Sequence, residues 1–224
     1  MSPMIDHPSA EDFRDTPYGR QLHSGFHLLR FKSELEREFR QYLDRHARTS
    51  QRLAALLLII AVSGYLYVEH RLFNLADTGW LATLTLLRIL QILPGVVVLV
   101  LTFYSRTFRA QANRIFPVLL VLIGLIAALI DIRFEALGTE LNFRYGAGLL
   151  IVSSFFFLGV TFWWALLCAV LIVVADVLIA GLILTPEQMP EHWIAVSYYL
   201  LLLIIGAISR YVHEYSQRDQ FLMR

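Results

Sequence analysis

The feature that most constrains this sequence is a series of apolar runs of about 20 residues that recur from Leu53 to Ile208. A helix rises 1.5 Å per residue, so about 20 apolar residues cross the roughly 30 Å hydrocarbon core of a bilayer. The composition agrees, because 17% of the residues are charged against about 25% in a soluble domain. These runs take up over half of the 224 residues and leave no room for a separate catalytic domain. The sequence therefore predicts an integral membrane protein and excludes a soluble enzyme.

The number of apolar runs predicts an all-α, polytopic fold with six transmembrane helices. The second predicted helix contains Pro94, which removes one backbone hydrogen bond and predicts a kink near the middle of the membrane. The predicted spans cover about residues 53–68, 80–104, 115–132, 145–160, 165–184 and 191–210.

Two segments precede the first predicted span. Residues 1–30 mix proline, glycine and acidic residues without a sustained period, which predicts a disordered cytoplasmic tail. Residues 31–52 predict an amphipathic cytoplasmic helix, because Ser33 and Glu36 have the spacing of a capping box. The apolar residues of that helix recur at helical spacing at Leu35, Phe39, Tyr42 and Leu43. The membrane domain itself is predicted to span residues 53–209.

The distribution of basic residues predicts the orientation of the chain. If both termini are inside, the inner segments hold 15 Lys and Arg residues and the outer loops hold 3. Membrane proteins retain positive residues on the cytoplasmic side. We therefore expect both termini in the cytoplasm and the spans in a bacterial inner membrane.

The sequence contains none of the motifs that commonly mark catalysis. Zinc-protease, phosphate-loop and nucleophile-elbow patterns are absent. The single cysteine, Cys168, excludes a disulfide framework and a thiolate metal cluster. A net charge of +1 gives no basic field that would favour nucleic acid. We expect no enzymatic activity, metal, cofactor or nucleic-acid partner for these residues.

Ionisable residues within the predicted spans form the first candidate site, because an unpaired charge in the bilayer costs a few kcal/mol. Arg88 and Asp176 each lie about 8 residues, or ~12 Å, from the outer end of their helix. The matching depth predicts an ion pair, with Gln91 one turn from Arg88 as a further polar partner. The pair is either structural and fixes helix register, or lines a ligand cavity.

Ionisable residues at the predicted outer face form a second candidate site. Imidazoles and carboxylates in short loops can converge to sense protons or a divalent cation. The alternative is that these groups are simply solvated, and Asp131 in particular is expected to reach water at the end of its span. The candidate residues are Glu69, His70, Asp131, Glu191 and His192.

The segment 210–224 continues the sixth predicted helix without a glycine or proline. Its apolar and charged residues recur at three- and four-residue steps, which predicts a helix that leaves the membrane with a narrow seam toward a partner. About one and a half heptads are too short for a stable coiled coil, so we expect an output module to follow Arg224. The candidate signal-transmitting residues are Tyr211, Glu214, Arg218, Phe221 and Leu222.

Four segments together carry a resemblance to a known family. They are Leu35-Glu36-Arg37-Glu38-Phe39, Arg88 followed by Pro94, Tyr145-Gly146-Ala147-Gly148-Leu149, and the steps from Tyr211 to Leu222. Over about residues 30–224, the chain resembles the six-helix membrane-associated sensor domains of bacterial nucleotide cyclases. In that family the domain precedes a GGDEF diguanylate cyclase or a class III adenylate cyclase, and sometimes a histidine kinase.

The resemblance implies a homodimeric sensory domain that regulates a C-terminal cyclase module, most simply a diguanylate cyclase in cyclic-di-GMP signalling. A small molecule, a lipid or a proton that binds near Arg88 and Asp176 would shift the helices and alter the paired exit helices. One alternative is a small transporter or channel, which buried charges favour, although the two halves contain no evident inverted repeat. Another is a passive anchor that only dimerises its output.

Overall fold

The computed structural model describes residues 16–25, 29–72, 80–104, 106–137, 146–156 and 160–223. Within these ranges every regular element is an α-helix, which confirms the predicted all-α class. The helices are α1 Pro17–Ser24, α2 Ser33–Leu72, α3 Trp80–Tyr104, α4 Arg106–Ala136, α5 Gly146–Phe156, α6 Phe162–Ile183 and α7 Met189–Leu222.

Five of these helices are long and apolar enough to cross a membrane. The candidate spans are Thr49–Arg71, Trp80–Tyr104, Ile115–Ala136, Phe162–Ile183 and Met189–Leu222. The remaining predicted span, 145–160, contains α5, which has 11 residues and is therefore about 16 Å long. That is about half of a hydrocarbon core. The described part of the chain thus contains five helices of spanning length, and a count of six is not confirmed.

The predicted amphipathic helix and the first predicted span belong to one continuous helix. Helix α2 is one element of 40 residues that includes both segments. Its continuity has a local cause, because no glycine or proline occurs between residues 33 and 63 to interrupt it. Helix α7 is likewise continuous over 34 residues, and Pro190 is tolerated because it lies in the first turn. Pro94 lies within α3, which extends on both sides of it.

The structure also differs from the predicted disordered tail. Residues 17–24 form α1, which begins with Pro17, a residue suited to the first helical position. The Thr16 hydroxyl accepts a hydrogen bond from the Gly19 N–H at 3.1 Å and caps the helix. Gly25 ends it with a φ of +66°, a conformation that glycine adopts readily. Residues 1–15 and 26–28 lie outside the described residues.

Helices α4 and α6 lie at the centre of the bundle. The apolar segment of α4 is 56% buried, more than that of any other span. Helix α4 packs against α3, α5 and α6, while α2 packs on α3, and α7 packs on α5 and α6. The largest apolar core joins residues of α4, α5 and α6, among them Phe116, Leu120, Ile151, Ala165 and Ile172. From α2 to α7, the contacts between helix ends put successive helices in opposite directions and give the bundle two polar ends.

We call these the His192 end and the Arg218 end. The His192 end contains the C-terminal ends of α2, α4 and α6 and the N-terminal ends of α3 and α7. The Arg218 end contains the C-terminal half of α7 together with α1, the start of α2 and the start of α6. The His192 end is defined by contacts between Glu69 and Arg88 and between Glu135 and His192. The Arg218 end is defined by contacts between Glu36 and Arg218 and between Phe162 and Glu214.

Gly206 allows α7 to approach α5 closely, and its replacement by alanine is expected to destabilise the bundle. A Cβ atom at this position would lie 2.3 Å from Cδ2 of Phe155, whose ring is 2% exposed. We expect Gly206→Ala to lower the free energy of unfolding by about 1–3 kcal/mol, measured by thermal melts in detergent. Gly181→Ala is the matched control, because nothing lies within 4 Å of its Cβ position. Equal melting shifts for both variants would contradict the close approach.

Candidate functional site

The first buried polar group joins α2 and α3 near the His192 end. The Nε of Arg88 donates to both carboxylate oxygens of Glu69 at 3.1 Å, and its Nη2 also donates to that carboxylate. Its Nη1 donates to Oε1 of Gln91 at 2.9 Å, and the guanidinium lies 5.2 Å from the ring centroid of Tyr65. Glu69, Arg88 and Gln91 are each at most 4% exposed. We call these three residues the Arg88 network.

The predicted ion pair between Arg88 and Asp176 is wrong, although the predicted contact between Arg88 and Gln91 is confirmed. Arg88 pairs with Glu69, whereas Asp176 pairs with His192. The physical reason is the arrangement of the helices, because α4 packs against both α3 and α6 and lies between them. Matching depth is necessary for pairing but does not make two helices neighbours.

The second buried polar group joins α4, α6 and α7. The Nδ1 of His192 lies 3.0 Å from Oε2 of Glu135, and its Nε2 lies 3.2 Å from Oδ2 of Asp176. These three side chains are at most 7% exposed, and we call them the His192 network. The first turn of α7 is therefore held to two different helices through one ring.

Asp131 is buried rather than solvated, which corrects the expectation that it reaches water. It is 4% exposed, and its Oδ2 accepts a hydrogen bond from the Ala147 N–H at 3.1 Å. The first turn of α5 presents unpaired N–H groups and a positive dipole end, so it stabilises this carboxylate. Gly146 permits the close approach, since a Cβ there would lie 3.1 Å from both carboxylate oxygens.

Asp131 also links the two networks electrostatically, because it interacts with Arg88, Glu69 and Asp176. Together the networks and Asp131 contain four carboxyls but only one guanidinium and one imidazole. Acidic side chains therefore outnumber basic ones in this region of the bundle. Among the described residues, no group of three or more His, Cys, Asp or Glu side chains has an arrangement that would hold a metal ion.

The other two candidates of the predicted outer face lie at the surface. His70 is exposed, and its Nε2 lies 3.0 Å from the Thr85 hydroxyl. Glu191 is also exposed. Glu135 of the His192 network is not among the predicted site residues. The signal available was its spacing, because Glu135 follows Asp131 by four residues on the same face of α4.

An apolar cavity of about 280 Å³ adjoins the Arg88 network. It lies between α2, α3, α4 and α5, and Arg88, Gln91 and Tyr65 contribute to its wall. Most of its remaining lining is aliphatic, from residues such as Leu58, Val62, Val98, Leu120 and Ile123. A polar group beside an apolar chamber is the usual composition of a small-molecule site.

At the opposite end of the bundle, Arg218 forms a buried contact that we call the Arg218 clasp, made of Glu36, Glu214 and Arg218. The Nη1 of Arg218 donates to Oε2 of Glu36 at 2.7 Å, and its Nε donates to Oε1 of Glu214 at 3.1 Å. The side chain of Arg218 is 1% exposed. Its guanidinium also lies 4.8 and 4.3 Å from the ring centroids of Phe31 and Phe39. The clasp thereby fixes the end of α7 to the start of α2.

An aromatic cluster surrounds the clasp. The ring centroids of Phe221 and Phe39 are 5.5 Å apart in an edge-to-face arrangement, which is a favourable geometry. Glu214 reaches in the other direction and accepts a hydrogen bond from the N–H of Phe162 at the start of α6. The residues of the cluster are Tyr18, Phe31, Leu35, Phe39, Tyr42, Leu43, Phe221 and Leu222.

The predicted seam of the exit helix is therefore used within the chain. Arg218, Phe221 and Leu222 are buried against α1 and α2. They therefore do not form the predicted seam toward a partner helix. Tyr211 is exposed and makes an edge contact with Phe162 at 5.6 Å. The partner of that helix face lies in the same chain.

Ionic contacts keep the Glu36 carboxyl charged at neutral pH. Burial raises its pKa, but hydrogen bonds from Arg218 and from the Phe31 N–H, with the charges of Arg218 and Arg40, bring it below the ordinary value of 4.5. Because the folded pKa is lowered, the contribution of this carboxylate is present above pH 4.5 and is lost as the pH falls through the lowered pKa. The Glu36 carboxylate of the clasp is thus charged at neutral pH.

A scan against protein-family models finds no match to this chain, and no curated protein matches it in sequence.

Proposed function

We propose that this chain is a membrane-embedded sensory and dimerisation domain that regulates an output module on the C-terminal side of α7. The observation that carries the proposal is the continuity of α7 between two buried polar contacts. His192 in its first turn contacts α4 and α6, and Arg218 near its end contacts α2. These residues are 26 positions apart, or about 39 Å along one helix. A shift at one end is therefore passed to the other.

The proposed orientation follows from the 15 to 3 distribution of Lys and Arg. It puts the Arg218 clasp and both termini in the cytoplasm, and the His192 end toward the outer face of a bacterial inner membrane. An output module joined to α7 is then in the same compartment as its nucleotide substrate. The residues described here regulate such a module and have no catalytic role of their own.

The proposed dimer uses an exposed apolar stripe on α7 instead of the predicted seam. Its residues alternate at steps of four and three, which is the heptad spacing of left-handed helix pairs. Each is at least 51% exposed, and Val212 lies beyond Arg210, where polar residues resume. The stripe consists of Ile194, Tyr198, Leu201, Ile205, Ile208 and Val212.

The proposed output module is a GGDEF diguanylate cyclase, on the strength of the resemblance described in the sequence analysis. A class III adenylate cyclase is the alternative. Both catalyse at the interface of two modules, so the spacing or rotation of paired exit helices controls their activity. Pairing through the α7 stripe satisfies that requirement.

A cyclase fusion tests the proposal by weakening the clasp. A diguanylate cyclase module joined after Arg224 is assayed in membranes for the wild-type chain, Glu36→Gln and Glu34→Gln. Glu36→Gln removes the charge that pairs with Arg218, and we expect cyclase activity to change about threefold or more, equivalent to losing one weak charged contact. Glu34 is exposed in the same turn and is the matched control. Equal activities in all three proteins, at equal membrane levels, would contradict regulation through α7.

A further inference from the structure

We propose that the cavity between α2, α3, α4 and α5 binds an uncharged lipid-like molecule, an apolar chain that ends in one hydrogen-bonding head group. Its volume is about 280 Å³, near the lower limit of about 300 Å³ for small-molecule sites. Of its lining residues, all but Tyr65, Arg88, Gln91 and Ser153 are apolar. Such a wall leaves a ligand few hydrogen bonds and selects for apolar surface.

The cavity opens toward the lipid. Leu57 of α2 and Leu149 of α5 line it and are 41% and 49% exposed. Helices α2 and α5 do not pack extensively against each other, although both adjoin the helices that form the floor. The gap between α2 and α5 faces acyl chains if α2 spans the membrane with the shorter α5 beside it. A ligand therefore enters sideways from the bilayer.

The head-group end of the cavity selects against a charged ligand. Arg88 is already neutralised by Glu69, which takes hydrogen bonds from both its Nε and its Nη2. A carboxylate or phosphate would have to lie beside Glu69 and within the field of Asp131, and like charges in a low dielectric repel strongly. An anion at this site would thus meet no net positive charge.

Gln91 provides the hydrogen bond that orients an uncharged head group. One N–H of its side-chain amide donates to the Ile123 carbonyl at 3.4 Å. An amide nitrogen carries two N–H donors, and the Ile123 carbonyl accepts one of them. Gln91 is 2% exposed and lines the cavity. A carbonyl or hydroxyl oxygen of the ligand is the complementary acceptor.

This ligand class deepens the proposed sensory function and, as a signal, rests on it. Occupation of the cavity would act on Arg88 and Gln91, and through Asp131 on the His192 network and the first turn of α7. Binding itself can be measured without any output module.

Photo-crosslinking in membranes tests the site. The probe is hexadecanol that carries a diazirine and an alkyne, and the matched charged probe is the corresponding hexadecanoic acid. We expect the alcohol to label peptides of α2 and α5 that line the cavity, and to label them more strongly than the acid does. Ala61→Phe fills the rim from an exposed position on α2 and should reduce that labelling about tenfold. Ala82→Phe, also exposed but outside the cavity, should leave it unchanged.

Two results would overturn the proposal. Labelling that is spread over the lipid-facing helices and unchanged by Ala61→Phe would mean that the probe samples bulk lipid only. Stronger labelling by the acid would mean that the site prefers an anion. The cyclase fusion separates this proposal from the sensory function. If the alcohol labels the cavity specifically but does not change the activity of the fusion, the bound molecule is not the signal. The binding site itself would then still stand.

Discussion

Replacement of Arg88 by alanine is expected to lower the free energy of unfolding by about 3–5 kcal/mol, because it leaves the Glu69 carboxylate buried without a counter-charge. Glu69 is 3% exposed and Arg88 4%, so both groups are largely shielded from bulk solvent. Glu69→Ala is expected to have an effect of similar size, since it leaves the guanidinium with Gln91 as its remaining hydrogen-bond partner. Thermal melts of the detergent-solubilised protein measure both effects.

The double variant separates a structural pair from independent groups. Arg88→Met with Glu69→Leu replaces both charges by apolar side chains of similar size and should recover most of the lost stability. The control is Arg88→Met with Asp176→Leu, which removes two charges that belong to different networks. We expect strong coupling in the first cycle and much weaker coupling in the second. The reverse order would support the pair that depth alone predicted.

The positions of the long helices could be predicted from the sequence because apolar length is a local property. The predicted span 80–104 coincides with α3, and the predicted end of the fifth span at 184 lies one residue beyond α6. The contact between Arg88 and Gln91 was also predictable, since residues three apart share a helix face. Each of these features depends on one segment of chain.

The partners of buried charges could not be predicted in the same way. Sequence gives the depth of Arg88 and Asp176 along the membrane normal but not their direction around the helix bundle. The structure turns Arg88 toward α2 and Asp176 toward α7. Glu69 and His192 had been considered as loop residues, yet both are buried at the first or last turn of a long helix.

The exit helix illustrates a second limit. Its amphipathic period was evident, but a period identifies a face without identifying what covers it. Phe221 and Leu222 are covered by α1 and the start of α2, and α1 lies in a segment that was expected to be disordered. The predicted span 145–160 includes α5 at 146–156, and residues 145 and 157–159 lie outside the described residues.

The proposed regulation through α7 depends on a fixed rotation of this helix relative to its partner. A diguanylate cyclase joined after Arg224 through one to seven inserted alanines should therefore show activity that varies with helical period. Maxima are expected at about four and seven inserted residues, which restore the facing surfaces at roughly 3.6 residues per turn. Minima are expected at about two and five, where the modules face away from each other.

The most direct test of α7 as a transmitting helix is this activity profile, measured at equal membrane levels. A matched series with glycine and serine insertions should lose the period, because a flexible linker does not preserve rotation. Periodic activity with alanine and its loss with glycine and serine is the result expected of a regulatory domain. Activity that stays flat across all seven alanine insertions would contradict transmission through α7 and identify the membrane domain as a passive anchor.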